Sequence, residues 1–367
     1  MKAEINESQL QHLCGQFEFD GAITHLGPTG NGHINDTFLV ETQMNKKYIL
    51  QRINHHIFKD PQKLMENIEK VCNHVKHKVE EVGGDVSREV LTLIPAKDKK
   101  YYVQDEAGYY WRAYVFITDA ISYDVVPSNE IFYNCAKAFG LFQKRLADFN
   151  AEELYETIPY FHHTKNRFEN FMKALESNQA NRKDLVKEEI DFVLAHKGDT
   201  EVLLNLYEEG RVPLRVTHND TKINNVMVDE VSQEGICVID LDTVMPGLAA
   251  YDFGDCIRTG ATSGEEDEVD LTKVNFMADR FEAFAKGFLE EVGESFGKDE
   301  IYSLLLGAKV MTLECGIRFL TDYLEGDHYF KIHRENHNLD RARTQFKLVQ
   351  DMEAQWEQLE EIIKKFM

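Results

Sequence analysis

The residues with the clearest chemical vocabulary crowd into one stretch, Val-Thr-His218-Asn-Asp220-Thr-Lys222-Ile-Asn-Asn225, followed by Cys-Val-Ile-Asp240-Leu-Asp242. Asp220, two residues after a histidine and five before an asparagine, is a carboxylate that can take a proton from an attacking hydroxyl. Asn225 and Asp240 are oxygen ligands of the kind that hold Mg²⁺. These are the parts that phosphoryl transfer asks of a protein, which contributes positioning and charge stabilisation more than covalent chemistry.

Those side chains must be brought together by what lies between them. From Asn225 to Asp240 the chain reads as two short apolar runs around a polar, Gly-containing turn, the pattern of an antiparallel hairpin. A hairpin places its outer ends side by side, so Asn225 and Asp240 converge on one cation. Asp242 shares the face of Asp240 if the strand continues, as a second ligand or as a solvated carboxylate. Asp252-Phe253-Gly254 spells a familiar metal-binding tripeptide but falls beyond Pro246-Gly247, away from the hairpin. The metal is therefore assigned to Asp240, and Asp252 or Asp255 is expected to cap a helix starting near Cys256.

Upstream elements fit the same chemistry. Gly27, Gly30 and Gly32 precede the alternating run Thr-Phe-Leu-Val-Glu and form a turn whose backbone N–H groups suit phosphates. In the next strand, Lys47-Tyr-Ile-Leu-Gln51-Arg52, the place for a phosphate-binding cation holds Gln51, and Arg52 follows. Either Arg52 turns inward, or the loop and the metal hold the phosphates. A helix is predicted from Asp60-Pro61, with Leu64, Ile68, Val71 and Val75 on one face and Glu66 available to the strand cation. Two aromatic-rich runs flank Asp105-Glu-Ala-Gly108 as a further hairpin. The expected architecture is α+β and bilobal, protein-kinase-like: a β-rich lobe over residues 1–117, a hinge at 118–124 with adenine against it, and a mainly helical lobe over 125–367.

Composition sets outer bounds. An apolar content of 43% argues for a folded chain, and 41 Lys+Arg against 64 Asp+Glu, a net charge of −23, disfavours nucleic acid and anionic membrane as partners. Six scattered cysteines without a CxxC pair read as reduced thiols, and the N-terminus lacks an apolar leader, so the cytoplasm is the expected location.

With these segments in order, the chain resembles the aminoglycoside-phosphotransferase and choline-kinase superfamily, and within it the branch of bacterial N-acetylhexosamine 1-kinases. The carrying segments are Gly30-Asn-Gly32-His33-Ile-Asn35, Tyr48-Ile-Leu-Gln-Arg-Ile-Asn54, the His218 to Asn225 run, Val238-Ile-Asp-Leu-Asp-Thr243, Tyr251-Asp-Phe-Gly-Asp255, Arg318-Phe-Leu-Thr-Asp322 and Tyr329-Phe. General aminoglycoside kinases carry a His at the position of Lys222 and a Gly at that of Asn219, which favours the hexosamine branch. The resemblance implies an ATP- and Mg²⁺-dependent monomer that phosphorylates the anomeric hydroxyl of GlcNAc or GalNAc. Asp220 would be the base and Lys222 would stand near the transferred phosphoryl. Gly30, Gly32, Asn35, Arg52 and Glu66 would serve the nucleotide site, Asn225 and Asp240 would bind the metal, and His33, Arg318 and Tyr329 would touch the sugar. Alternatives are a kinase for another small alcohol, such as an aminoglycoside, choline, homoserine or methylthioribose, and a nucleotide-binding pseudokinase. On the residues alone, Arg318 also reads as an ion-pair partner of Glu314 or Asp322.

Overall fold

The structure, a computed structural model, describes residues 7–30 and 34–367; Gly32 and His33 lie outside the described residues. After a short helix α1 (Glu7–Cys14), five strands form one antiparallel sheet in the order β1-β2-β3-β5-β4. They are β1 (Ile23–Pro28), β2 (Asp36–Thr42), β3 (Lys47–Arg52), β4 (Val103–Gln104) and β5 (Tyr110–Val115). Alternation gives this sheet two faces. Tyr48, Leu50, Trp111 and Ala113 pack on one side with Val40 and α1, whereas Tyr114 joins the larger core beneath.

That larger core includes α2 (Pro61–Glu81), begun as its sequence predicts by Asp60, which accepts from the Lys63 N–H at 3.1 Å. Leu64, Ile68, Val71 and Val75 are all buried on its inner face. A one-turn helix α3 (Val86–Glu89) follows, and its Arg88 reaches across to Asp229 at 2.8 Å and to the carbonyls of Thr118 and Asp119.

Residues 118–124, read from sequence as the hinge, contain a short strand β6 (Ala120–Ile121). It pairs with β8 (Val226–Asp229), which pairs in turn with β9 (Gly235–Val238). A two-stranded ribbon of β7 (Arg215–Thr217) and β10 (Met245–Gly247) lies beside this sheet.

The remaining chain is helical: α4 (Asn129–Arg145), α5 (Thr164–Ser177), α6 (Lys187–Ala195), α7 (Val202–Glu208), α8 (Ala249–Gly260), α9 (Ala278–Val292), α10 (Lys298–Glu325), α11 (His337–Ala354) and α12 (Trp356–Lys364). Helix α10 packs along α5, α8 and α11. Its contact with α8 is backbone against backbone: a Cβ on Gly254 would strike the Gly307 carbonyl, and one on Gly307 would strike that of Ala250. Phe253 fills the adjoining core with Phe281, Phe284 and Phe288. Among the described residues, no helix is long and apolar enough to cross a membrane.

Candidate active site

Strand β7 delivers the chain into the loop that carries His218 and Asp220. His218 is wholly buried, edge-on to Phe139 and Phe142. Its Nε2 lies 2.8 Å from the Ile239 carbonyl and its Nδ1 3.2 Å from the Asp220 N–H. A carbonyl only accepts and an amide only donates, so the ring carries its proton on Nε2. His218 thereby ties the loop to the end of β9, next to Asp240.

Asp252 secures the loop from below. Helix α8 starts at Ala249 with no side-chain cap, so Asp252 does not cap it as the sequence reading expects. It is buried within the first turn, where its carboxylate accepts from the N–H groups of His218 at 2.9 Å and Asn219 at 2.7 Å, and from Gln143 at 2.9 Å. Burial pushes its pKa up, against the pull of these donors. The tripeptide Asp252-Phe253-Gly254 thus anchors a loop, fills a core and seats a helix.

From the other side His162 places Nε2 2.9 Å from the Asn219 carbonyl and Nδ1 3.1 Å from Glu314. Both partners are acceptors, so both ring nitrogens carry protons and His162 is an imidazolium. Burial works to lower its pKa, but Glu314 outweighs it and the net shift is upward.

The loop itself turns at Asn219, in the left-handed region with φ 65°. Asp220 follows, with Lys222 Nζ 3.0 Å from its carboxylate and both side chains open to the cleft. Asp220 raises the Lys222 pKa and keeps the ammonium charged. Asn225 donates from Nδ2 to the Asp220 carbonyl at 2.7 Å, while its own carbonyl accepts from Ile239 N–H at 2.9 Å. The hairpin therefore brings Asn225 and Asp240 together at its open end, as its sequence pattern predicts.

Asp240 is also left-handed, with φ 59°, a conformation that costs a non-glycine residue about 1–2 kcal/mol. It opens to the cleft, yet protein crowding strips water from its carboxyl. That desolvation, with repulsion from Asp242 and Asp220, raises its pKa to about 6. This concentration of negative charge, with the Asn225 amide at the same end of the hairpin, fits a hard divalent cation.

Asp242 is buried and already paired. Its partners are the Arg112 guanidinium, 1% exposed, and Asn35 Nδ2 at 2.7 Å. Arg112 lies directly opposite Gln51 in the β3–β5 register and donates from Nε and Nη2 to the Gln51 Oε1 at 3.0 and 2.9 Å. The buried cation thus comes from β5, and β3 supplies only its hydrogen-bond acceptor. Arg52, one residue on, faces the other way: it pairs with Asp36 at 2.5 Å and lies over Tyr109 and Trp111. A lone Arg within Tyr-Trp-Arg112-Ala-Tyr-Val was the available signal, since a charge in an apolar strand needs a buried partner.

The other expected positions are more dispersed. Gly30, two residues beyond β1, has φ 74°, and among the described residues nothing would meet a Cβ there. Asn35 anchors the base of that loop, accepting from the Asn54 N–H at 3.0 Å. Glu66 pairs with Lys70 at 3.2 Å instead of a strand cation, because it lies on the exposed face of α2. Its neighbour Asn67, not singled out from sequence, is buried and donates to the carbonyls of Tyr155 and Val244. Glu314 is taken by His162 and Thr164, and Asp322 by the N–H groups of His328, Tyr329 and Phe330. Among the described residues Arg318 forms no ion pair with either, although its charge helps to lower the Glu314 pKa, and it lies over the Phe330 ring; Tyr329 is exposed. Among the described residues, His196, Asp199 and Glu353 also cluster, but Lys309 bridges the two carboxylates at 2.9 and 2.8 Å and supplies the charge a metal would.

Known proteins share this arrangement at the level of fold. An aminoglycoside phosphotransferase from Alicyclobacillus acidocaldarius superposes with a TM-score of 0.66 at 12% identity, covering 100% of this chain and 98% of that one. Amicoumacin kinase, solved with AMP-PNP, Ca²⁺ and amicoumacin, gives 0.61 at 12% identity over 98% and 94%. An ethanolamine kinase from Plasmodium vivax gives 0.57 at 16% identity over 94% and 90%. The family model described as phosphotransferase enzyme family matches residues 25–284, a span that runs from β1 through the His218–Asn225 loop and the hairpin into α9. The chain belongs to the phosphotransferase enzyme family.

Proposed function

We propose that this protein is an ATP-dependent kinase that phosphorylates the anomeric hydroxyl of an N-acetylhexosamine. The observation that carries the reading is Asp220, open to the cleft beside Lys222 and next to the paired ends of the hairpin at Asn225 and Asp240. The sugar class rests on the sequence segments shared with the N-acetylhexosamine 1-kinase branch, and on the Lys222 ammonium beside Asp220, which a cationic acceptor would meet.

In this reading residues 1–117 cover the nucleotide, 118–124 form the hinge and 125–367 hold the acceptor. Asp220 accepts the proton of the acceptor hydroxyl as its oxygen attacks the terminal phosphorus of ATP, and the bond to the ADP oxygen breaks. The products are ADP and a sugar 1-phosphate. Lys222 supplies positive charge as negative charge spreads over the transferred group. Asn225 and Asp240 would hold Mg²⁺, which when bound screens the phosphate oxygens. Asp242, neutralised by Arg112, is reserved for holding this loop in place.

The test is Mg·ATP consumption by the purified protein against GlcNAc, GalNAc, glucose, kanamycin, choline and homoserine, with Asp220→Asn as control. Sugar-dependent turnover with phosphate on O1 supports the proposal. Turnover confined to an amine favours a second reading, an amino-alcohol or aminoglycoside kinase, to which the net charge of −23 lends weight.

A further inference from the structure

A cavity of about 410 Å³ opens beside the catalytic loop, between Lys222 to Asn224, the end of α8 and the inner face of α11. Arg318 and Tyr329 do not line it. Its size suits a small ligand.

Two observations define what it would take. The first is Gln345, 2% exposed on α11 and part of the cavity wall. Its Nε2 donates weakly to Thr344 Oγ1 at 3.4 Å, and its buried Oε1 has no hydrogen-bond partner among the described residues. A buried carbonyl oxygen calls for a donor, and here the cavity is where one can enter. The second is charge. The wall carries Lys222, Arg258 and Arg280 against Asp124, Glu265 and Glu266. The cations are already engaged: Lys222 with Asp220, Arg258 with Asp255 and Glu266, Arg280 with the carbonyls of Gly260 and Thr262. Engaged cations leave little to hold an anion, and Asp124 and Glu265 are exposed at the wall, so the buried Gln345 Oε1 is what asks for a ligand that offers O–H or N–H groups.

We propose that this cavity seats the body of the acceptor and that Gln345 is a specificity residue, its Oε1 receiving an O–H or N–H from a neutral polyhydroxyl or acylamino compound. The inference rests on the phosphotransfer reading of Asp220: a hydroxyl held there places the rest of the molecule past Lys222 and into this space.

The test uses the full chain with Mg²⁺, ATP and N-acetylglucosamine. Gln345→Met keeps the side-chain shape and removes the acceptor; Gln345→Glu keeps an acceptor. The sugar KM is expected to rise about tenfold or more in the Met variant, with the ATP KM within about twofold, and to recover in the Glu variant. Hydrogen exchange on the unaltered protein, with a non-hydrolysable ATP analogue, is an independent readout: added sugar should protect amides around 262–264 and 343–348. Wild-type turnover of the sugar with an unchanged KM in a folded Met variant, or no protection in those segments, overturns the cavity assignment and leaves the kinase reading standing. Turnover with kanamycin or choline alone overturns both the neutral-ligand assignment and the N-acetylhexosamine reading.

Discussion

Asn35 and Asp242, 207 residues apart in sequence, share a hydrogen bond of 2.7 Å. It joins the base of the glycine-containing loop to the residue two positions after the expected metal ligand, so the upper and lower walls of the cleft are registered at one point. Asn35→Ala removes that bond at a part-buried site. The expected result is a several-fold higher ATP KM with little change in melting temperature, measured by steady-state kinetics and thermal denaturation.

Asp220→Asn retains size and hydrogen-bonding reach but cannot accept the acceptor proton. Turnover should fall by about 10²–10⁴-fold while nucleotide binding persists. Calorimetric titration of an ATP analogue beside the rate assay separates the two. A variant that turns over at the wild-type rate would remove Asp220 from the chemistry.

Arg112→Met leaves Asp242 buried without its ion partner. Loss of one member of a buried pair typically costs about 3–5 kcal/mol, so urea unfolding should show a large drop in stability. Adding Asp242→Asn should recover part of it, because the uncompensated charge is then gone. A single-mutant loss below about 1 kcal/mol would mean that Asp242 finds water or protonates cheaply.

His162 and Glu314 give the loop at Asn219 a pH dependence. The His162 pKa is raised in the folded protein, so its contribution is complete below the ordinary histidine value and is lost as pH rises through the folded value. The Glu314 pKa is lowered, burial notwithstanding, by His162 and Arg318, so its contribution is lost as pH falls below the ordinary carboxylate range. Asp255 also favours the charged imidazole, while Tyr251 lies tilted against the ring at 5.5 Å. Stability from this pair should therefore peak in mildly acidic solution and decline on the alkaline side. In His162→Gln that alkaline decline should flatten, as read from melting temperatures between pH 5 and 9.

Gly254→Ala would press a methyl group into the Gly307 carbonyl. Overpacking of this kind costs about 1–3 kcal/mol. Because α8 carries Asp252, activity should fall together with melting temperature, a pattern that Asp220→Asn should not show.

Much of this was legible in sequence where the signal was local. The hairpin from Asn225 to Asp240 could be read because two apolar runs and a turn lie within a few residues of each other, and α2 because Asp60-Pro61 and a buried stripe announce it. The partners of Arg112 were not legible, since they depend on the β3–β5 register and on a loop far along the chain. The same register explains Arg52: alternation turned it to the outer face once Gln51 was fixed inward. Asp252 is no cap because Ala249 already begins the helix, which frees that carboxylate for the loop.

The pairing of β6 with β8 has a geometric consequence. One end of β8 is bonded to residues 118–124 through Val228 and Ile121, and the other runs into Asn225. At about 3.3 Å per residue those few positions span roughly 10–13 Å. The interval from Ile121 to Asn225 and Asp240 is thus gauged by a hydrogen-bonded sheet, with Arg88 fastening the Thr118–Asp119 end. In the proposed reading, where 118–124 is the hinge and Asn225 and Asp240 hold the metal, a nucleotide of the wrong length would be misaligned at its far end even if its base fitted.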